Sequence, residues 1–65
     1  MLDMELKITK NGVIRKKSDN ELMAFYFDLD KELHLIDDKL ITTKVDCNCL
    51  EQAFNLVREK NGETN

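Results

Sequence analysis

Proline is absent from this 65-residue chain, and glycine occurs only at Gly12 and Gly62. Serine and histidine occur once each, as Ser18 and His34, and there is no tryptophan. An activated nucleophile needs a base beside it, and a phosphate-binding loop needs several glycines. The chain has too few serines and histidines for the first site and too few glycines for the second. The sequence therefore predicts a protein that is not an enzyme.

Long apolar runs are also missing. The longest covers 22–27 and is far shorter than the roughly 20 residues that a membrane-spanning helix needs. No secretory signal is recognisable, and unpaired thiols suit a reducing compartment. We therefore expect a soluble cytoplasmic protein that has no membrane partner.

Cysteine occurs only as Cys47 and Cys49, which are separated by one residue. This spacing closes too small a ring for good disulfide geometry, and it is neither the usual pair spacing of zinc sites nor the C-x-x-C of redox motifs. A thiol in the first turn of a helix would have a lowered pKa, so a metal or thiol protein is a minor alternative. We predict two packed thiols at a strand-to-helix junction, with no metal and no cofactor.

The chain is short for a folded domain. A domain of this size buries only about 60% of the surface that its unfolded chain exposes, which leaves a small margin of stability. We predict a single domain over 1–65, frayed at 63–65, that associates with itself or docks on a larger protein.

Charge is distributed unevenly along the chain. Residues 1–18 carry five basic and two acidic side chains, a balance of +3, whereas residues 19–65 carry five basic and eleven acidic ones, a balance of −6. A basic segment on an acidic body predicts either an anionic partner or self-complementary docking.

The basic segment contains a hairpin signal, Asn11-Gly12, between two alternating stretches. A two-residue loop would place Ile8 opposite Arg15. A three-residue loop would place Ile8 opposite Ile14, with Gly12 in a left-handed bulge position. We favour the second register because it matches apolar residues on one face.

Both registers place Lys7 opposite another cation, either Arg15 or Lys16. Like charges that face each other destabilise a strand pair, and an anion or an acidic partner would relieve the repulsion. We therefore predict that Lys7, Arg15, Lys16 and Lys17 take part in partner binding.

The segment 18–36 fits two structures. Ser18 and Glu21 form a possible capping box before a helical apolar stripe that runs from Leu22 to Ile36. Three consecutive aromatic residues favour strands instead, with a turn near 30–32. We predict strands here, followed by another strand over the β-branched stretch 40–45.

The C-terminal segment predicts a helix. Its apolar stripe is Leu50, Ala53, Phe54, Leu56 and Val57. Either Asn48 or Asp46 serves as the N-cap, and Gly62 suits the end of the helix.

These elements predict an α+β fold, an antiparallel meander of four to five strands with the C-terminal helix packed on one face. One helix covers only one face of a sheet. We expect it on the side of Phe25, Phe27 and Leu29. That arrangement leaves an exposed apolar face for partner binding. Its members are Leu22, Ala24 and Tyr26.

The predicted function is a non-enzymatic protein-interaction or regulatory module, acting as a homodimer or docking on a larger protein. In the dimer, Lys7 and Arg15 would lie near Asp28 or Asp30 of the second copy. A nucleic-acid-associated protein that uses the basic hairpin is the alternative, although 1–18 contain no aromatic residue for base stacking. Many lysines and asparagines indicate an AT-rich genome, such as that of a phage or mobile element.

Overall fold

A computed structural model describes residues 4–61 as a five-stranded antiparallel sheet followed by one helix. The strands lie side by side in chain order, and the helix packs against the sheet. The predicted α+β meander is confirmed. The elements are β1 (Leu6–Ile8), β2 (Val13–Lys16), β3 (Leu22–Phe27), β4 (Glu32–Ile36), β5 (Thr42–Asp46) and α1 (Leu50–Lys60).

The first hairpin has the predicted three-residue loop. Ile8 lies opposite Ile14, and Lys7 lies opposite Arg15. Gly12 has φ +90°, and its N–H donates to the carbonyl of Thr9 at 3.0 Å. Glycine is favoured there because a side chain would be strained in that left-handed backbone conformation.

The middle of the chain forms strands, so the helical alternative that starts at Ser18 is wrong. The turn before β3 ends at Asn20, and the turn between β3 and β4 ends at Lys31, both with positive φ. This second turn begins at Asp28, earlier than predicted, because β4 already starts at Glu32.

The helix starts later than either predicted cap. Its N-cap is Cys49, which makes no side-chain capping bond, so the predictions of Asn48 and Asp46 are wrong. The reason lies in the preceding strand. β5 continues through Asp46, and a 2.9 Å hydrogen bond from the Cys47 N–H to a carbonyl of the β3–β4 turn keeps the chain extended. The predicted stop at Gly62 and the predicted fraying at 63–65 lie outside the described residues.

One face of the sheet forms the core under the helix. Register places Ile14, Ala24 and Leu35 side by side, and it places Tyr26 beside Leu33. The helix contributes its buried side chains to the same cluster. The side chains with no solvent exposure in this core are Ile14, Ala24, Leu33, Cys47, Ala53 and Val57.

The prediction that Leu22, Ala24 and Tyr26 form an exposed partner-binding face is wrong. Ala24 is 0% and Tyr26 8% exposed, and Leu22 is half-buried. Cross-strand neighbours explain the error, because Ala24 and Tyr26 lie opposite leucines of β4, whereas Phe25 and Phe27 lie opposite His34 and Glu32. A helix on the phenylalanine side would bury a carboxylate and an imidazole, which costs free energy.

Candidate functional site

The face of the sheet that α1 does not cover is the candidate site, and we call it the open face. Its side chains alternate along each strand with those of the core. Within residues 4–61 no second helix is available to cover it. By register, the open face comprises Lys7, Val13, Arg15, Leu22, Phe25, Phe27, Glu32, His34, Ile36, Thr42, Lys44 and Asp46.

Aromatic and apolar side chains occupy the middle of the open face. Val13 lies opposite Phe25, which lies opposite His34. Phe27 packs edge to face against His34, with ring centroids 4.6 Å apart and an interplanar angle of 64°. Phe27 is nevertheless 42% exposed. The middle strand of the open face therefore presents aromatic surface to the solvent.

A carboxylate links β4 and β5 across the open face. Glu32 Oε1 lies 3.3 Å from His34 Nε2, and Glu32 Oε2 lies 3.6 Å from Lys44 Nζ. These groups are partly exposed, so each pair contributes at most about 1 kcal/mol to stability. Their main effect is to hold the imidazole beside Phe27.

The other end of the open face carries two adjacent cations. Lys7 is exposed opposite Arg15, and Arg15 Nη1 donates to the carbonyl of Asn20 at 3.0 Å. Among residues 4–61, no carboxylate lies within ion-pair distance of Lys7 or Arg15. Lys7 and Arg15 therefore face each other without a neutralising carboxylate among the described residues.

The four predicted basic residues do not form one patch. Lys16 alternates away from the open face, and its Nζ lies 4.0 Å from Asp19 and 3.8 Å from Glu21. Lys17 follows β2 and is exposed. Only Lys7 and Arg15 therefore share the open face with the aromatic residues.

Sequence reasoning missed the aromatic members of the open face. Phe25 and Phe27 were predicted to face the helix, whereas they lie on the open face with His34. The available signal was the sequence of β4, which alternates Leu33 and Leu35 with polar neighbours. Alternation in β4 decides which side of β3 is buried.

An open groove adjoins one end of this face. It has a volume of about 430 Å³ and lies between the β1–β2 turn, the β3–β4 turn and the start of α1. Phe27, Leu29 and Leu50 line it with exposed apolar surface, and Leu29 is 96% exposed. Tyr26 lines it too and donates its hydroxyl to Asp28 Oδ1 at 3.2 Å. The groove extends the apolar surface beyond the sheet.

The two cysteines lie apart from the open face and differ in exposure. Cys47 is buried, and its thiol donates to the carbonyl of Cys49 at 3.2 Å. Burial raises the pKa of Cys47, which keeps its thiol protonated and unreactive. Cys49 is exposed at the helix start, so the prediction of two packed thiols is wrong for Cys49. Among residues 4–61, no three His, Cys, Asp or Glu side chains gather in a metal-binding arrangement.

No family model matches this chain, and no curated protein or solved structure is detectably similar to it. The one helix in residues 4–61 is too short and too polar to cross a membrane. The geometry of the described residues is therefore the basis for any functional proposal.

Proposed function

We propose that this chain is a small non-enzymatic protein-interaction module that docks on a larger protein through the open face. The observation that supports it most directly is the exposed aromatic surface of Phe27, held beside His34 at the end of the middle strand on an uncovered sheet face. Protein interfaces have this composition, with aromatic residues near the centre and polar residues at the rim. The free thiols suit a cytoplasmic protein, and the composition suits a phage or mobile element.

Hydrophobic burial supplies most of the proposed binding energy. Covering the exposed parts of Phe27 and Leu29 contributes about 25 cal/mol for each Å² removed from water. Ion pairs at the rim contribute about 0–1 kcal/mol each. Apolar contact therefore sets the affinity of the module.

The cations at the end of the open face set the orientation and the choice of partner. Lys7 and Arg15 repel each other across β1 and β2, so an acidic group on the partner gains energy from both. Complementary charge at a rim mainly raises the association rate. The partner of this proposal is therefore a protein with an apolar site next to an acidic one.

A pair of matched lysine substitutions tests the proposal. Phe27→Lys places a charge on the middle strand of the open face, and Leu40→Lys places one in the exposed β4–β5 turn. Both variants should fold. A partner is first captured from host lysate with the wild-type chain and then purified for titration calorimetry. Phe27→Lys should weaken binding at least tenfold, since loss of a central aromatic contact costs about 2 kcal/mol or more. Leu40→Lys should bind normally, and equal loss in both variants would contradict the proposal.

Single-stranded nucleic acid is a second candidate ligand for the same face. The observation in its favour is that Phe25, Phe27 and His34 share the open face with Lys7 and Arg15. Bases stack on exposed aromatic rings while cations hold the phosphates. Glu32, Asp46 and the net charge of −3 oppose it. We therefore favour a protein partner.

Fluorescence anisotropy with labelled single-stranded RNA and DNA separates the two candidates. The protein proposal predicts no binding at physiological salt. Binding that falls steeply with added salt and disappears in Phe27→Ala would instead support the nucleic-acid function.

The predicted homodimer cannot use Leu22, Ala24 and Tyr26, because Ala24 and Tyr26 lie in the core. Self-association requires another surface.

A further inference from the structure

Within residues 4–61 no strand pairs with the outer side of β5, which is therefore an edge of the sheet. β5 is the last strand of the sheet, and four of its five residues are exposed. The strand contains no proline, and its pairing with β4 has no bulge. The opposite edge, β1, has only three residues. An exposed edge strand that has neither a proline nor a bulge is a template for pairing with another strand.

Alternation along the β4–β5 ladder identifies the backbone groups that point outward. The N–H of Asp37 donates to the carbonyl of Ile41 at 3.2 Å at one end of the ladder, and the N–H of Cys47 donates to the carbonyl of Lys31 at 2.9 Å at the other end, so both pairs lie at hydrogen-bonded positions. Hydrogen-bonded and non-hydrogen-bonded pairs alternate in an antiparallel ladder. Thr43 and Val45 therefore bond to β4, and the N–H and C=O groups of Thr42, Lys44 and Asp46 point away from the sheet.

Charge selects one register for self-pairing. Lys44 and Asp46 lie on the same side of β5, two residues apart, with opposite signs. An antiparallel pair of β5 strands with a two-fold axis at Val45 places each Lys44 opposite Asp46 of the partner subunit. A two-fold axis at Lys44 would place two lysines opposite each other, which is unfavourable. Lys44 and Asp46 also carry the outward backbone groups, so the favoured register forms both hydrogen bonds of each pair.

We propose that two copies of this chain pair through β5, antiparallel about a two-fold axis at Val45, and form one continuous sheet. Such an interface is isologous and closes after two subunits. It places two open faces next to each other on the same side of the joined sheet. The pairing uses a strand edge, and it stands whether or not the open face docks on another protein.

Charge reversal on β5 tests both the dimer and its register. Molar mass is measured by sedimentation and light scattering over a series of protein concentrations. Wild type should be dimeric at high concentration. Lys44→Glu and Asp46→Lys should each weaken the dimer about tenfold or more, because each variant replaces both opposite-charge pairs with like-charge pairs. Mixing the two variants should restore a dimer, since an acidic residue then faces a lysine in both pairs: the introduced Glu faces the introduced Lys, and Asp46 faces Lys44. The Lys44→Glu/Asp46→Lys double variant should also dimerise.

Lys10→Glu, in the β1–β2 turn at the other edge of the sheet, is the matched control and should leave the wild-type dimer unchanged. Thermal unfolding of every variant checks that each one folds. A wild type that stays monomeric up to its solubility limit would overturn the proposal. A dimer that both single substitutions leave intact, or one that mixing does not restore, would overturn it as well.

Discussion

Phe27 of β3 and His34 of β4 meet edge to face, with ring centroids 4.6 Å apart, on the side of the sheet that the helix does not cover. Their backbone neighbours Tyr26 and Leu33 face the core, where Leu33 has no solvent exposure. One pair of strands therefore supplies both the core and the candidate interaction surface. Substitutions on the core side should reduce stability, whereas substitutions on the open face should reduce binding.

Lysine at position 26 should unfold the protein, whereas lysine at position 27 should not. Tyr26 packs its ring in the core, so Tyr26→Lys removes that packing and costs several kcal/mol even where the lysine reaches Asp28. Phe27 is partly exposed, and its substitution should change stability by about 1 kcal/mol. Circular dichroism during urea unfolding measures both. Comparable losses of stability would mean that the helix covers the other face.

Gly12 should not tolerate a side chain. Its φ is +90°, and a Cβ atom there would clash with the backbone carbonyl oxygen of Tyr26. Gly12→Ala should lower the free energy of unfolding by about 2 kcal/mol or more, since backbone strain and a steric clash add. Asn11→Ala, one residue earlier in the same exposed turn, is the control and should cost less than about 1 kcal/mol. Equal effects would contradict the bulged loop.

Replacing Leu40 by glycine should stabilise the protein. It has φ +65° and is 77% exposed, so its side chain buries little surface while its backbone adopts a conformation that favours glycine. Leu40→Gly should raise the free energy of unfolding by about 0.5–1 kcal/mol, the left-handed strain minus the added entropy of the unfolded chain. Leu40→Ala keeps the strain and should show no gain. A loss of stability in Leu40→Gly would indicate that this turn is packed.

Stability should fall as the pH rises above about 8.5, the usual pKa of a cysteine. Burial raises the pKa of Cys47 in the folded state, so the unfolded chain releases this proton first. The stabilisation is complete below the unfolded pKa and is lost as the pH rises through the folded pKa. The pKa of Tyr26 is also raised, first by burial and then by its bond to Asp28, and it acts in the same direction at higher pH.

Urea unfolding under reducing conditions, between about pH 7.5 and pH 9.5, covers the range in which Cys47 begins to ionise. Cys47→Ala should make the free energy of unfolding less dependent on pH in this range, and Cys49→Ala should not. An unchanged slope in Cys47→Ala would show that other groups cause it.

Local patterns predicted the strands and the first hairpin well. Ile8 and Ile14 share a face only in the three-residue loop, so matching apolar residues identified the register. The helix start was not predictable in this way, because Cys49 makes no capping bond. That boundary depends on the hydrogen bond between Cys47 and the distant β3–β4 turn.

The buried side of the sheet could not be predicted from β3 alone. Phe25 and Phe27 are larger and more apolar than Ala24, so the composition of that strand favours the wrong side. The neighbouring strand decides, since Leu33 and Leu35 must be buried while Glu32 and His34 must not. The same error affected the predicted binding site, which was placed mainly on the buried side of β3. The prediction that Lys7 and Arg15 face each other is confirmed.

Site-specific photo-cross-linking in cells tests directly whether the open face docks on another protein. p-Benzoylphenylalanine replaces Phe27 on the open face or, as a control, Leu40 in the β4–β5 turn. We predict that position 27 forms a discrete, protease-sensitive adduct with a different protein and that position 40 does not. An adduct equally strong at both positions, none at position 27, or one that nuclease removes would contradict a protein-docking function of the open face.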